Sequence, residues 1–369
     1  MEKLNQFILG TIALGLTTTV QAENWADRIQ VNGFASAVIQ GTSEQAYFNG
    51  EASEEGVNED ISFQGTRVGL TVSTKITDRL NFAAQFTAIA EESYDVHYDW
   101  LFGAFAFGDN FTVRAGAMKF PVGIINEYRD VGYALPWIAP PVLLYTDIAS
   151  TNGMANTVTS PNATRESYSG ASLLFNKEFD DWTVIVDLFG GGANGEGGET
   201  PDLRKLRGIS ATLNWDDTLL LTASSSVSVM RNAPAGMTAM NGKEHEVTSL
   251  GAKLDWNELF VYAESFDVEM EGLTMMSSES WYTTVGYHIT PRWAPYYSYQ
   301  EIEFDNNLTE QNMQTLGVRY ELMKNTALKL EFSDIETPKG NGLFDDSDTN
   351  DPFDRSSVKM YGIAVDYLF

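Results

Sequence analysis

Few side chains in this sequence could carry out covalent chemistry. The chain has no Cys and only three His among 369 residues, which excludes thiol catalysis, disulfide scaffolds, Cys-ligated zinc and iron–sulfur clusters. A Ser–His hydrolase needs a His near a Ser at the end of a strand, and His97, His245 and His288 are the available residues. No Gly-x-Ser-x-Gly motif occurs. A hydrolase is therefore an alternative that no motif supports.

One acidic stretch resembles the beginning of a calcium-binding loop. Asp346, Asp348 and Asn350 have the spacing of its first three ligands. The sixth position, which should be Gly, is Asp351, and the twelfth, which should be Glu, is Ser357. We therefore expect no resident metal and no cofactor.

Charged side chains are the remaining candidates for a functional site. They can attract, repel or orient charged solutes, but they do not transform them. Most lie on the polar side of segments in which polar and apolar residues alternate, or directly after such a segment. The candidates are the basic residues Arg67, Lys75, Arg114, Lys119 and Arg129 and the acidic residues Glu91, Glu127 and Asp130.

The overall composition limits the class of protein that presents these charges. With 51 acidic against 23 basic residues, the net charge of −28 argues against a nucleic-acid binder, which needs a basic surface. Apolar residues make up 43% of the chain, too many for a disordered acidic protein. The 12% of aromatic residues and the 31 Gly suit an all-β protein with many turns.

Alternation with a period of two predicts a long series of strands. Val68, Leu70 and Val72 share one side of a strand, while Arg67 and Lys75 lie on the other. Seven tight turns join fourteen strands, and one further strand at each end (28–41 and 356–369) brings the total to sixteen. The turns are at 77–79, 108–110, 179–181, 216–217, 257–258, 290–292 and 324–325.

Eight longer connections alternate with these turns. They are approximately 42–60, 92–94, 120–165, 191–204, 232–243, 271–278, 305–309 and 338–355. Short turns on one rim and long loops on the other are typical of barrels in outer membranes, although a soluble β-sandwich is an alternative. The mean hydropathy of −0.20 does not argue against a barrel, because alternating strands give a weak hydropathy signal.

Both ends of the chain carry targeting features. Residues 1–22 read as a secretory signal, with Lys3, an apolar stretch at 7–20 and a small-x-small cleavage site ending at Ala22, although a membrane anchor is an alternative. The mature chain would then be 23–369. At the other end, apolar and aromatic residues occupy every second position and resemble the membrane-insertion signal of outer-membrane barrels: Tyr361, Ile363, Val365, Tyr367 and Phe369.

One stretch resembles a known family. Residues 111–123 (FTVRAGAMKFPVG), 126–133 (NEYRDVGY) and 136–141 (PWIAPP) are similar to Gram-negative outer-membrane porins, in a branch near the gammaproteobacterial phosphate-selective and dicarboxylate-type porins. The detailed similarity covers about 30 residues. The strand count and both chain ends extend the architectural match to the whole mature chain.

The resemblance implies a fold and a set of partners. We expect an all-β, sixteen-stranded antiparallel transmembrane β-barrel with short periplasmic turns and long extracellular loops. The loop 120–165 would fold into the lumen as a constriction, with opposed charges across the narrowest point. Its many apolar residues fit burial, although packing on the outer mouth or on a neighbouring subunit is an alternative. A homotrimer, lipopolysaccharide and the barrel-assembly machinery are the implied partners.

The expected function is a water-filled channel for passive diffusion of ions and small hydrophilic solutes, not an enzyme. The acidic connections 42–60 and 338–355 favour a mild preference for cations and depart from the dense Arg and Lys that phosphate selectivity needs. Ca²⁺ or Mg²⁺ could bridge these acids to lipopolysaccharide. A substrate-selective porin for anions or dicarboxylates, an outer-membrane hydrolase and a loop-based receptor are the alternatives.

Overall fold

The computed structural model describes most of the chain after residue 27. It describes residues 28–43, 46–47, 61–63, 65–90, 95–145, 167–194, 201–233, 237–305, 310–338, 345–346 and 357–369. The predicted signal sequence 1–22, Glu91 and parts of several long connections lie outside the described residues.

Sixteen long strands form one closed antiparallel barrel in the described part of the chain. They are β1 (Ile29–Thr42), β2 (Arg67–Lys75), β3 (Leu80–Ile89), β4 (Val96–Phe107), β5 (Phe111–Lys119), β6 (Ser167–Phe179), β7 (Trp182–Ala193), β8 (Asp202–Trp215), β9 (Leu219–Arg231), β10 (Glu244–Trp256), β11 (Leu259–Met270), β12 (Ser278–Tyr287), β13 (Trp293–Phe304), β14 (Glu310–Met323), β15 (Thr326–Glu336) and β16 (Ser357–Leu368). Each strand pairs with its neighbour in sequence, and β1 closes the barrel against β16. The predicted sixteen-stranded antiparallel barrel is confirmed.

The other elements are short. They are 3₁₀ turns at Asn126–Tyr128, Gly132–Ala134, Thr238–Met240 and Thr274–Met276, the helix α1 at Val142–Tyr145, and a two-residue ladder of Ala46–Tyr47 with Asp345–Asp346. Among the residues described, no helix has the length and apolar character needed to cross a bilayer.

The two faces of each strand differ as the alternation predicts. In β16, every second residue from Tyr361 to Tyr367 is apolar or aromatic, and these residues expose 40–49% of their surface. The intervening Met360, Ala364 and Asp366 are buried inside the barrel. Exposed Leu, Ile, Val and Phe side chains continue around the outer wall, which is the surface that a barrel presents to lipid.

The rim with the short turns is shaped by residues that tolerate a left-handed backbone. Asp180, Asp216, Asn257 and Asn325 have φ between 46° and 63°, as the turns of tight hairpins require. Aromatic pairs lie beside these turns, with ring centroids 5.6 Å apart for Phe107–Phe111, 5.9 Å for Trp182–Trp215 and 4.5 Å for Trp293–Tyr320. Such a girdle is typical of a membrane–water interface.

The C-terminal residue takes part in closing the barrel. The backbone N–H and C=O of Phe369 exchange hydrogen bonds of 2.9 Å with Gly33 of β1. The Phe369 ring lies over Gly33, where a Cβ atom would come within 2.3 Å of Cζ. A side chain at residue 33 would therefore displace the terminal ring.

The inner wall is less uniformly polar than the alternation suggests. Close to the long connections, several inward positions of β11 and β13–β16 are apolar and buried, and they belong to one hydrophobic cluster: Met270, Phe304, Met313, Ile335 and Val358. Toward the short turns, inward Thr71, Ser73 and Asn81 are partly exposed. The half of the barrel near the long connections therefore has a packed core.

Candidate functional site

Residues 120–145, called here the inner segment, leave the end of β5 and pass through the inside of the barrel. Twenty of these 26 residues are buried. Apolar members such as Leu135, Leu143 and Leu144 pack into the same hydrophobic cluster as the inner wall. The predicted constriction loop extends to residue 165, and residues 146–165 lie outside the described part.

A charged cluster ties the start of the inner segment to β2 and β4. Lys119 Nζ lies 2.6 Å from Asp99 Oδ1 and 2.9 Å from Asp130 Oδ2. Arg67 Nη1 lies 3.5 Å from Asp130 Oδ1. Gln85 Nε2 donates a 2.5 Å hydrogen bond to Asp99 Oδ2. Because these side chains are buried or nearly so, salt screens the ion pairs weakly.

Asp130 is held in its charged form by three cations. Burial by itself would raise the pKa of Asp130, but Lys119, Arg129 and Arg67 together hold that pKa well below its usual range. Asp130 is therefore ionised at neutral pH. Arg67 and Lys119 contact this carboxylate directly, so these charges neutralise one another instead of facing each other across an opening.

A second anchor connects the middle of the inner segment to β15, β16 and β1. Lys329 is fully buried, and its Nζ donates hydrogen bonds of 2.7 Å to the Gly132 carbonyl and 2.5 Å to the Trp137 carbonyl. Asp366 Oδ2 lies 2.8 Å from the same Nζ as an ion pair without hydrogen-bond geometry. Ser36 Oγ donates a 2.6 Å hydrogen bond to Asp366 Oδ1. The buried charges of both side chains are thus compensated.

Arg319 of β14 adds a third set of contacts. Its Nη1 donates to the carbonyls of Tyr133 at 2.7 Å and Leu135 at 3.1 Å. Its Nη2 lies 2.5 Å from Glu321 Oε1, and Tyr133 Oη donates to Glu321 Oε2 at 3.1 Å. The guanidinium also stacks 4.7 Å above the Tyr133 ring. Arg319 therefore holds both the backbone and the Tyr133 side chain of the inner segment against β14.

Trp137 and Ile138 continue this attachment on the inner wall. Trp137 Nε1 donates a 3.0 Å hydrogen bond to Thr284 Oγ1, and its ring packs edge-on against Tyr262 at 5.1 Å. The backbone N–H of Ile138 donates to Glu331 Oε1 at 2.8 Å. These contacts satisfy polar groups that would otherwise be buried without a partner.

Glu264 of β11 anchors both ends of the inner segment. Tyr145 Oη donates to its Oε1 at 2.7 Å, Tyr282 Oη donates to its Oε2 at 2.6 Å, and the Ile124 backbone N–H donates to Oε1. Burial, together with Glu264, raises the pKa of Tyr145 well above its usual value, so the phenol remains a donor. Arg129 Nη1 donates to the Tyr145 carbonyl at 2.5 Å.

Arg114 is the centre of a separate charged cluster. It forms an ion pair with Asp187 of β7, and its Nε donates a 3.0 Å hydrogen bond to Ser172 Oγ. Burial raises the pKa of the nearby Glu127, Arg114 opposes that shift and Asp187 adds to it. Glu127 Oε2 and Asp187 Oδ1 are buried and have no hydrogen-bond partner in the described part of the chain.

The candidate residues identified from the sequence fall into distinct groups. Arg67, Lys119, Arg129 and Asp130 come together at the start of the inner segment, and Arg114 and Glu127 form the second cluster. Lys75 is 45% exposed at the short-turn rim, where it pairs with Asp78 at 3.2 Å. Glu91 lies outside the described residues. The C-terminal residues 361, 363, 365, 367 and 369 face outward.

Sequence reasoning missed the residues that hold the inner segment against the opposite wall: Glu264, Arg319, Lys329, Glu331 and Asp366. Each is a charged residue in the interior of a strand. Either its chain neighbours are apolar and exposed, or it lies on the buried, inward-facing side of the strand. A search for charges at inward positions of all sixteen strands would have found them.

The described ranges contain no group of three or more His, Cys, Asp or Glu side chains that could hold a metal ion. Of the weak calcium-like stretch, Asp348 and Asn350 lie outside those ranges, and Asp346 belongs to the two-residue ladder. The site is therefore built from ion pairs, aromatic rings and backbone groups.

The closed barrel with a segment packed inside it is the setting for a comparison with known proteins. The sequence profile of Gram-negative porins matches residues 10–340. The chain belongs to the Gram-negative porin family. No curated protein sequence matches this porin.

Solved structures of other porins share its fold. Salmonella typhi OmpF in complex with daunomycin has a TM-score of 0.60 at 15% identity. The match covers 94% of this chain and 100% of the OmpF chain. The anion-selective porin of Comamonas acidovorans has a TM-score of 0.59 at 11% identity, covering 92% and 99%. The trimer form of OmpT, an outer-membrane protein of Vibrio cholerae, has a TM-score of 0.53 at 10% identity, covering 92% and 99%.

The family and the fold together show where this porin is located. It is an outer-membrane channel protein of a Gram-negative bacterium, and its sixteen strands cross the membrane. The exposed apolar wall and the aromatic rim are the surfaces that such a location requires.

Proposed function

We propose that this porin is a diffusion channel for ions and small hydrophilic solutes. A barrel lets such solutes avoid the cost of leaving water for hydrocarbon, and selection comes from width and charge at the narrowest point. The observation that carries the proposal is the closed sixteen-stranded barrel of a Gram-negative porin with partly exposed polar side chains on its inner wall. Inward Thr71, Ser73 and Asn81 are such side chains.

Toward the short turns, the inner wall has the properties of a solute path. Inward Thr71, Ser73 and Asn81 are polar and partly exposed. They can exchange hydrogen bonds with a hydrated solute. We infer that solutes pass along this polar wall in the half of the barrel near the short turns.

Cysteine substitution tests this path, because the chain contains no native Cys. Thr71 faces inward and is partly exposed, whereas Thr74 on the same strand faces outward and pairs with the lipid-facing Phe82. A charged, membrane-impermeant thiol reagent should lower the current through Thr71→Cys by about half or more, because it adds bulk and charge to the path. Single-channel recording in planar bilayers measures the effect.

The matched control is Thr74→Cys, the same exchange three residues away on the other face of the strand. Its current should not respond to the reagent. A current through Thr71→Cys that also ignores the reagent would place the path elsewhere, and purified protein that carries no current would refute the channel itself.

We further propose a mild preference for cations. The net charge is −28, and Arg67, Arg114, Lys119, Arg319 and Lys329 all lie within ion-pair distance of a carboxylate. These cations are thus neutralised, while 51 acidic residues outnumber 23 basic ones in the chain. Negative potential inside the lumen should therefore exceed positive potential.

Reversal potentials across a salt gradient measure this preference. We expect permeability to K⁺ to exceed permeability to Cl⁻ by roughly twofold or more, with the excess falling as salt screens the carboxylates. Clear anion selectivity would overturn the cation preference and favour the alternative, a porin selective for anions or dicarboxylates.

We propose that the protein performs no catalysis. In the described part of the chain, Ser228 Oγ lies 3.5 Å from His245 Nδ1, which is at the limit of a hydrogen bond. The cavity beside that pair is about 10 Å³ and is lined by Phe120 and Val122, so it has no room for a substrate. His288 packs 5.3 Å from the Phe260 ring.

The proposed partners follow from family membership. OmpT of Vibrio cholerae has a trimer form, and we propose a homotrimer for this porin as well. The outward C-terminal residues ending at Phe369 would be recognised by the barrel-assembly machinery. We also propose that the short turns face the periplasm, that the long connections face the exterior, and that lipopolysaccharide surrounds the outer rim.

A further inference from the structure

Three carboxylates, called here the carboxylate ring, lie inside the barrel next to the short turns. Glu178 of β6 and Asp255 of β10 occupy the last position but one of their strands, and Glu321 of β14 lies two residues before the end of its strand. Each follows a buried, inward-facing residue of its own strand by six positions, which places it on the same face: Ser172, Ser249 and Thr315. The three carboxylates therefore face the lumen at one level.

The carboxylate ring is evenly distributed around the lumen. Its strands β6, β10 and β14 are four strands apart in a closed barrel of sixteen, so neighbouring carboxylates are separated by a quarter of the circumference. The strand β2 completes the square, and its inward residue at this level is Lys75, which pairs with Asp78 of the adjacent turn at 3.2 Å. A solute that crosses this level therefore has a carboxylate on three of its four sides.

Water reaches the carboxylates of the ring more easily than the cations beside them. The side chain of Asp255 is 43% exposed, against 23% for Lys253, whose Nζ lies 2.9 Å from Asp255 Oδ2. Glu321 is 29% exposed, against 14% for its partner Arg319. Glu178 is exposed and forms no ion pair with any residue that the structure describes. The ring thus presents its negative groups to the lumen.

Aromatic rings hold the two cations against the wall. Lys253 Nζ lies 5.3 Å from the ring centroid of Tyr262, and this buried ring packs in turn against Trp137. Arg319 stacks on Tyr133 and donates hydrogen bonds to the backbone of the inner segment. The face of an aromatic ring attracts a cation and repels a carboxylate. In each pair, the cation is therefore drawn to the wall and the carboxylate is left to the water.

Both ion pairs have the same order along the chain. The carboxylate follows the cation by two residues in the direction of the short turns, from Lys253 to Asp255 and from Arg319 to Glu321. Residues two apart on a strand point the same way and are separated by about 7 Å. The carboxylates therefore form a layer between the cations and the short-turn rim. A solute that enters from this rim meets the negative layer first.

The charged clusters of the inner segment have less access to solutes. Lys119, Asp99 and Asp130 are almost completely buried, and so are Arg114 and Asp187. Protein atoms cover these groups, and each ion pair cancels most of its own field at a distance. Along the polar wall near the short turns, the carboxylate ring is therefore the group of charges that a hydrated solute approaches most closely.

We propose that the carboxylate ring is a selectivity element of this porin, in which Glu178, Asp255 and Glu321 favour cationic solutes at the short-turn end of the lumen. Rings of carboxylates concentrate cations and repel anions, and low-dielectric walls keep the field inside the water path. The solutes that fit are hydrated monovalent cations and small hydrophilic molecules with an ammonium group. This inference rests on the proposed diffusion channel and identifies residues that produce its cation preference.

Reversal potentials across a KCl gradient in planar bilayers test the proposal. The variant E178Q/D255N should lower the ratio of K⁺ to Cl⁻ permeability about twofold relative to the parent, because two of three exposed carboxylates are lost. It leaves Glu321, which accepts a hydrogen bond from Tyr133, intact. The matched control D267N/E269Q removes the same two side-chain types from exposed, outward positions of β11 near the long connections and should keep the parental ratio.

The rate of thiol modification tests the local field without reference to current. The chain has no native Cys, so Glu178→Cys introduces a single thiol at the level of the two remaining carboxylates. A cationic methanethiosulfonate should react with this thiol about tenfold faster than an anionic one of similar size. The same thiol in a D255N/E321Q background should react with both reagents at rates within about threefold of each other.

The outcomes separate the carboxylate ring from the channel function. A cation-preferring parent whose E178Q/D255N variant keeps the parental ratio would overturn the proposal, and so would a control that loses the preference to the same extent. Equal reaction rates of the two reagents at residue 178 would also overturn it. A parent that carries no current would refute the channel function instead, and the reagent rates in detergent would then decide about the ring.

Discussion

Lys329→Met is expected to lower the free energy of unfolding by about 3–5 kcal/mol and to raise single-channel conductance. The exchange keeps the volume of the side chain but leaves Asp366, which is fully buried, without its cation. It also removes the donors of the Gly132 and Trp137 carbonyls. The middle of the inner segment should then detach from the wall and widen the lumen.

Urea-induced unfolding in detergent and planar-bilayer recording measure the two effects. Lys359→Met, an exposed position on the outer face of β16, is the control and should change stability by less than about 0.5 kcal/mol. Adding Asp366→Leu to Lys329→Met should recover part of the stability, because the unpaired carboxylate is gone. Conductance should remain high in this double variant, since the two carbonyls still have no donor. A Lys329→Met variant with parental stability and conductance would show that the anchor does not hold the segment.

Glu264→Ala is expected to destabilise the barrel by about 2–4 kcal/mol and to shift ion selectivity away from cations. Three donors, from Tyr145, Tyr282 and Ile124, would lose their common acceptor, and each buried orphan costs about 1–3 kcal/mol before relaxation. When ionised, the carboxylate also contributes negative potential to the lumen, so the shift in selectivity is expected in salt gradients measured above neutral pH. Both ends of the inner segment should loosen together, because Glu264 contacts residues 124 and 145.

The conservative exchange separates geometry from charge. Glu264→Gln keeps one oxygen as the acceptor for Tyr145 and Ile124, and its amide N–H₂ can donate to the Tyr282 hydroxyl. It should therefore cost less than about 1 kcal/mol, yet it removes the negative charge just as Ala does. The two variants should therefore differ in thermal unfolding in detergent, whereas their reversal potentials should be similar. If Glu264→Gln were as unstable as Glu264→Ala, charge and not hydrogen bonding would be the basis of the anchor.

The Lys329 and Glu264 variants also test whether the two anchors limit the width of the lumen independently. Lys329 and Glu264 hold different parts of the same segment, and neither anchor depends on the other for its hydrogen bonds. Release of one should enlarge the lumen partially, and release of both should enlarge it further. Additive conductance changes would indicate independent anchors, in line with their separate contacts.

Some elements were predictable because their causes are local. Alternation such as Val68, Leu70 and Val72 against Arg67 and Lys75 defines a strand and both of its faces within a few residues. Turn residues such as Asp180 and Asn325 mark their own positions by tolerating a left-handed backbone. The apolar composition of the loop 120–165 also predicted burial, since an apolar loop is not stable in water, and its described part, 120–145, is mostly buried.

Other features depended on pairing between distant residues. The bond from Lys329 to Gly132 spans 197 positions in sequence, and the bond from Ser36 to Asp366 spans 330. No local pattern encodes such partners, because they meet only after the barrel closes. The resemblance to porins predicted opposed charges on two sides of an opening. For the same reason, these charges instead lie in contact around Asp130.

The sequence by itself determined the class of protein: sixteen strands, each with one lipid-facing and one inward-facing side, and a strongly acidic balance. These properties follow from short-range periodicity, which the pleat of a strand converts directly into a face. Only the tertiary structure decided which charges neutralise one another and where the inner segment is fixed. Those outcomes depend on closure and register, which bring together side chains that no local interaction connects.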